Sequence, residues 1–111
     1  MAGFEARTTT DDGYAVVRLV GECDLAVRDQ FTSAVLAALD GAPCVVIDLA
    51  DLRFMDSSGI HVLVVGHQTA LERGHRLYVR NAGGAVARVL ALTGLDDLLR
   101  PPVDGPGRAH E

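Results

Sequence analysis

The residues best suited to chemistry gather in Asp56-Ser57-Ser58-Gly59, an acid and two hydroxyls between an apolar run and an amphipathic stretch. A nucleophilic serine needs a base within reach and a sharp Gly-x-Ser-x-Gly elbow, and Met55-Asp56-Ser57-Ser58-Gly59 lacks the first glycine. The carboxylates of Glu22, Asp24 and Asp56 fall at strand ends that can converge at one sheet edge, where a general acid/base pair is one reading. Turn and cap roles are the other, favoured because no electrophile-binding group accompanies them. His61 and His67, six residues apart, fall on different helix faces and make no metal pair. His67 lies in the apolar stripe and reads as a hydrogen-bonded core residue; His75 and His110 read as solvated. Gly83-Gly84 is a turn rather than a phosphate-cradling loop. Cys23 and Cys44 lack metal or disulfide spacing and read as reduced, half-buried thiols. The expectation is a non-enzymatic protein with no metal or cofactor of its own.

What remains is the hydroxyl pair itself. Ser57 or Ser58 is placed to cap the following helix, a side-chain oxygen accepting a first-turn N–H. A phosphate added there would lie over the positive end of the helix. Capping and modification both stand on local sequence, which does not separate the two serines.

The elements that must hold this turn follow from hydrophobic period. Phe4–Thr9 alternates weakly, Asp11-Asp12-Gly13 forms a turn, and Tyr14–Val20 is a stronger strand, together a hairpin. Asp24 is placed to cap a helix whose stripe is Val27, Phe31, Ala34, Val35, Ala38 and Leu39, ended by Asp40-Gly41 and Pro43. Cys44–Leu49 is a β-branched run, the pattern of a strand covered on both faces. After Gly59 the stripe Ile60, Leu63, Val64, His67, Ala70 and Leu71 gives a second helix, leaving Val62 and Val65 off the buried side, on the face beside His61. His75–Arg80 is a further strand. Val86, Val89, Leu90 and Thr93 make a third helix stopped at Gly94, and Leu95–Leu99 a final turn against the core. The predicted order is β-β-α-β-α-β-α: an α/β fold with a mixed sheet of about four strands, in which the Asp56 turn sits at the carboxyl end of a central strand.

Composition sets the outer limits. With 111 residues, 49% of them hydrophobic and 23% charged, the chain suits one domain over 1–99 with a Pro/Gly-rich tail from 100 to 111. A formal net charge of −5, with ten scattered arginines and no lysine, argues against nucleic acid and anionic membrane surfaces. No leader-like segment or apolar run of membrane-spanning length is present, so the expected location is cytoplasmic.

Three motifs carry a resemblance: Gly21-Glu22-Cys23-Asp24 before the first helix, Asp56-Ser57-Ser58-Gly59 after the apolar strand, and Leu92-Thr93-Gly94-Leu95 near the end. Their order and spacing resemble the STAS domain of bacterial anti-anti-sigma factors, over about Phe4–Leu99. The resemblance implies an anti-sigma factor antagonist that binds an anti-sigma factor with serine kinase activity and releases a sigma factor. Phosphorylation of the first hydroxyl after the acid, here Ser57, with Ser58 as second choice, would switch it off, and a PPM-type phosphatase would restore it. ATP and Mg²⁺ would belong to the kinase. The implied partner and switch surface is Asp24, Asp56, Ser57, Ser58, Gly59, His61, Val62 and Val65. Three departures from the family pattern stand out: His61 where glycine is common, Gly83-Gly84 at a usually polar turn, and a closing strand and last helix that are missing or vestigial after Leu99. A non-switching STAS subunit of a transporter or stressosome-like assembly is the alternative, and the oligomeric state is left open.

Overall fold

The computed structural model describes residues 3–102, and the tail expected beyond Arg100 falls outside the described residues from 103 onward. Strands β1 (Phe4–Asp11) and β2 (Tyr14–Cys23) form the antiparallel hairpin. Asp12 and Gly13, at φ 47° and 86°, make the two-residue turn whose backbone twist matches that of paired strands. A short 3₁₀ turn, Leu25–Val27, leads into α1 (Arg28–Gly41), followed by β3 (Cys44–Met55), α2 (Ser57–Glu72), β4 (Arg76–Arg80), α3 (Gly84–Thr93) and α4 (Leu95–Leu98). The sheet runs β1-β2-β3-β4, antiparallel in the first pair and parallel in the next two. The predicted order is the observed one.

Alternation on β2 sends Ala15, Val17, Leu19 and Cys23 into the core and leaves Arg18 and Glu22 exposed on the other face. These inward residues form one cluster with Val45, Ile47 and Leu49 of β3, Leu77 and Val79 of β4, and buried residues of all four helices. Four residues of the predicted α1 stripe, Phe31, Val35, Ala38 and Leu39, are buried, while Ala34 and, in the preceding 3₁₀ turn, Val27 are half-buried against the same core. At ~1.5–3 kcal/mol for each fully buried large aliphatic or aromatic side chain, this cluster is the main stabilising term. The last turn packs back as expected, with Leu95 and Leu99 buried and the Leu99 carbonyl accepting from Val79 N–H at 2.9 Å.

β3 differs from the expected Cys44–Leu49. It continues to Met55 because its inward residues switch from an interval of two (Val45, Ile47, Leu49) to one of three (Leu52, Met55). Two register shifts against β2, between Arg18 and Val20 and between Gly21 and Glu22, are the cause: each inserts one extra β3 residue. β2 likewise runs on to Cys23, and Gly21 (φ 101°) is where it meets the chain start: a Cβ there would lie 1.8 Å from the Gly3 carbonyl oxygen. β4 begins at Arg76 rather than His75, which is half-buried instead of solvated because its N–H is tied to the Ala70 carbonyl at 2.7 Å.

Candidate functional site

The carboxyl ends of β2 and β3 lie side by side, Cys23 opposite Met55, and the Asp56 N–H donates to the Cys23 carbonyl at 3.1 Å. This places the turns leading into α1 and α2 at one edge of the sheet. Asp24 caps the first, accepting from Ala26 N–H at 3.0 Å, as its position predicted. Asp56 caps the second, accepting from Ser58 N–H at 2.8 Å. The serine capping reading is therefore corrected: Asp56 is in extended backbone (φ −99°, ψ −169°) and its side chain reaches the N–H two residues on. Ser57 and Ser58 become the first two helical residues, the former exposed and the latter half-buried, and capping uses neither hydroxyl.

The two cap carboxylates flank a buried thiol. Burial first, and then the charges of Asp56 and Asp24, push the Cys23 thiol up to about 12, so it stays protonated and packs as an apolar group. Glu22, exposed on the opposite face of β2, does not join this pair.

The buried side of α2 is not the predicted stripe. Gly59, Val62, Leu63, Gly66 and Ala70 face inward, while Leu71 is 47% exposed and Ile60, Val64 and His67 are only half-buried. Two glycines explain the rotation. A Cβ on Gly59 would lie 2.6 Å from Met55 Cγ and 3.0 Å from Cys23 Sγ; one on Gly66 would meet Val35 and Leu77 at 3.0 and 3.1 Å. The helix thus approaches the sheet and α1 through its glycines and carries Val62 inward with them. Gly59 makes room for the core, and Val62, only 4% exposed, faces inward and contributes to the floor of a groove between α1 and α2 rather than to an outer surface. His67 is also corrected: its Nδ1 is buried without a hydrogen-bond partner among the described residues, as is that of His75.

Of the expected switch surface on α2, Ser57, His61 and Val65 stay outward. Beside them a groove of about 380 Å³ runs between α1 and α2, lined by Arg28, Asp29, Thr32 and Leu36 from α1 and His61 and Val65 from α2. The α1 residues were not singled out from sequence, although their spacing (28, 29, 32, 36) marks one helix face. A second polar cluster was also missed. Asp48, within the β-branched run, accepts from Ala50 N–H at 3.0 Å, from Arg80 at 3.2–3.3 Å and from Asn81 at 3.2 Å. An acid in a strand read as buried on both faces requires a partner, and the basic end of the next parallel strand supplies one. Among the described residues no group of three or more His, Cys, Asp or Glu side chains is arranged to hold a metal, and no helix is long and apolar enough to cross a membrane.

A four-stranded mixed sheet with an aspartate-capped serine turn at the exit of an inner strand is the architecture of a STAS domain. The family model described as "Mlab, STAS domain" matches residues 6–101, and the chain belongs to this family. It is 32% identical over 85 residues to the anti-sigma F factor antagonist of Paenibacillus polymyxa, covering 75% of this chain and 73% of that one. It is 30% identical over 94 residues to the anti-sigma-B factor antagonist of Staphylococcus aureus, covering 83% and 86%. The crystal structure of an anti-sigma factor antagonist from Mycobacterium paratuberculosis superimposes with a TM-score of 0.80 at 30% identity, covering 92% of this chain and 89% of that one.

Proposed function

We propose that this chain antagonises an anti-sigma factor and is switched by phosphorylation at Ser57. The observation that carries the reading is the division of labour in the turn: Asp56 caps, so the exposed Ser57 hydroxyl is left uncommitted at the start of α2, one turn before the groove residue His61. The names of its relatives supply the partner class, an anti-sigma factor. In this reading that partner is also the serine kinase, a PPM-type phosphatase reverses the modification, and the cycle runs in the cytoplasm.

The physics of such a switch is simple. A phosphate adds ~1.5–2 negative charges at neutral pH where Asp24 and Asp56 are already placed. The N-terminal end of α2 makes that anion tolerable to the fold, by ~0.3–1 kcal/mol. A partner docked over Ser57, His61 and Val65 instead meets a new charge and a bulkier group. The fold persists while the complex is lost.

A pull-down with wild type, Ser57→Ala and Ser57→Asp, followed by phosphosite mapping after incubation with the captured kinase and ATP, tests this. Capture of an anti-sigma factor by wild type and Ser57→Ala but not Ser57→Asp is the expected result. Equal capture by all three, or a phosphosite outside Ser57 and Ser58, overturns the switch and leaves a constitutive scaffold.

A further inference from the structure

Ser57, His61 and Val65 occupy positions i, i+4 and i+8 of α2, a single exposed row whose last two members line the groove and whose first lies one turn before it. His61 forms one wall near the start of α2, and Arg28, the first residue of α1, forms the other. Helical side chains lean toward their own N-terminus, so an imidazole at i+4 is on the side from which it can reach a group at i. Cβ atoms at i and i+4 are ~5–6 Å apart, a gap that a phosphoester spans. Among the described residues Arg28 is ion-paired with its neighbour Asp29 alone, at 3.6 Å, and the Asp29 side chain is 93% exposed. So exposed a pair is weak, and a dianion can displace it.

We propose that phosphorylated Ser57 is clasped by His61 and Arg28 across the mouth of the α1–α2 groove, so that modification closes the groove as well as charging it. The inference rests on Ser57 being the modified residue. Imidazolium and guanidinium donate N–H groups to phosphate oxygens, and no bond other than the phosphoester itself is made or broken. The charged groups around His61 are Arg28 and Asp29 from α1, with the caps Asp56 and Asp24 at the base of the two helices. Arg28 and the protonated His61 favour the dianion and the three carboxylates oppose it, so proximity decides the sign: Arg28 and His61 both line the groove, Asp56 is engaged by Ser58 N–H and Asp24 by Ala26 N–H. The phosphate's second proton, lost near pH 6 in free phosphoserine, then leaves at lower pH, and reciprocally the imidazolium persists to higher pH.

The experiment installs phosphoserine at position 57 by genetic encoding, without a kinase, and follows the ³¹P resonance against pH. Wild type is compared with His61→Gln, Arg28→Gln and, as a control at the far end of α2, Arg73→Gln. A midpoint lower in wild type than in His61→Gln and Arg28→Gln by about 0.2–0.4 unit, with Arg73→Gln unchanged, is expected. The His61 ring resonance should also titrate higher in the phosphoprotein than in the unmodified chain. Midpoints that coincide within about 0.1 unit in all four proteins overturn the clasp. Because the phosphate is encoded, that failure leaves Ser57 as phosphoacceptor untouched, whereas a phosphosite mapped elsewhere overturns the switch without touching the clasp chemistry.

Discussion

Two aspartates associated with β3 show how differently one residue type is used eight positions apart. Asp48 lies inside the strand, its side chain 13% exposed, and accepts from a backbone N–H, an arginine and an asparagine. Asp56 lies just past the strand end, half-buried, and its side chain accepts from Ser58 N–H. Burial pushes the Asp48 carboxyl up, but the Ala50 N–H, Asn81 and Arg80 together outweigh it, and the group sits below the ordinary carboxylate range. A buried charge is tolerated because it is fully engaged, and full engagement leaves it nothing to offer a partner. The acid at the strand exit does less for the fold and leaves two hydroxyls uncommitted. Structural polarity is saturated; switchable polarity is not.

Substitutions arranged by expected effect test that contrast. Asp48→Ala removes a largely buried carboxylate that engages the Ala50 N–H, Arg80 and Asn81 together, and urea denaturation should show a loss of about 2–4 kcal/mol. The pH dependence has a definite sign. Because the folded-state value lies below the unfolded one, the stabilisation is present above the unfolded value of ~3.9 and is lost as pH falls through the lower, folded value. Asp48→Asn should flatten that acid limb; an unchanged limb would assign it to other carboxylates.

Gly59→Ala comes next. The added methyl meets Met55 and Cys23, and a loss of about 1–3 kcal/mol in the same assay is expected, partly offset by the better helix propensity of alanine. Asp56→Ala removes a cap and should cost about 1 kcal/mol, with Asp56→Asn or Asp56→Ser retaining most of it. Smallest is Ser57→Ala, whose stability should stay within about 0.5 kcal/mol of wild type by thermal melting. A Ser57→Ala penalty as large as that of Asp56→Ala would erase the division of labour on which the switch is built.

The sequence carried the architecture well wherever side chains kept a regular period. The hairpin, the α1 stripe, the Asp24 cap and the order of elements were legible because alternation and i, i+3, i+4 spacing are direct geometric consequences of strand and helix. It misled where the period broke. The apolar run of β3 stops at Leu49 because its bulges convert alternation into intervals of three, an interval that resembles a helix. The α2 stripe was rotated because glycine carries no apolar signal, yet Gly59 and Gly66 are the points of closest approach. The Ser57 hydroxyl was found but given the wrong local competitor, since the cap belonged to the acid one position earlier. Arg28 was passed over because a groove between two helices exists only after both have been docked.

The paired bulges of β3 also impose a parity rule on the site. Between Arg18 and Cys23 β2 takes five steps, and between Asp48 and Met55 β3 takes seven, so both strands turn from an outward residue to an inward one at the same edge. An odd difference would have delivered Met55 to solvent and opened α2 on the wrong side of the sheet. Deleting one residue from 50–53 should therefore be far more damaging than deleting two, because an even change shortens the approach to the serine turn while preserving which way it faces.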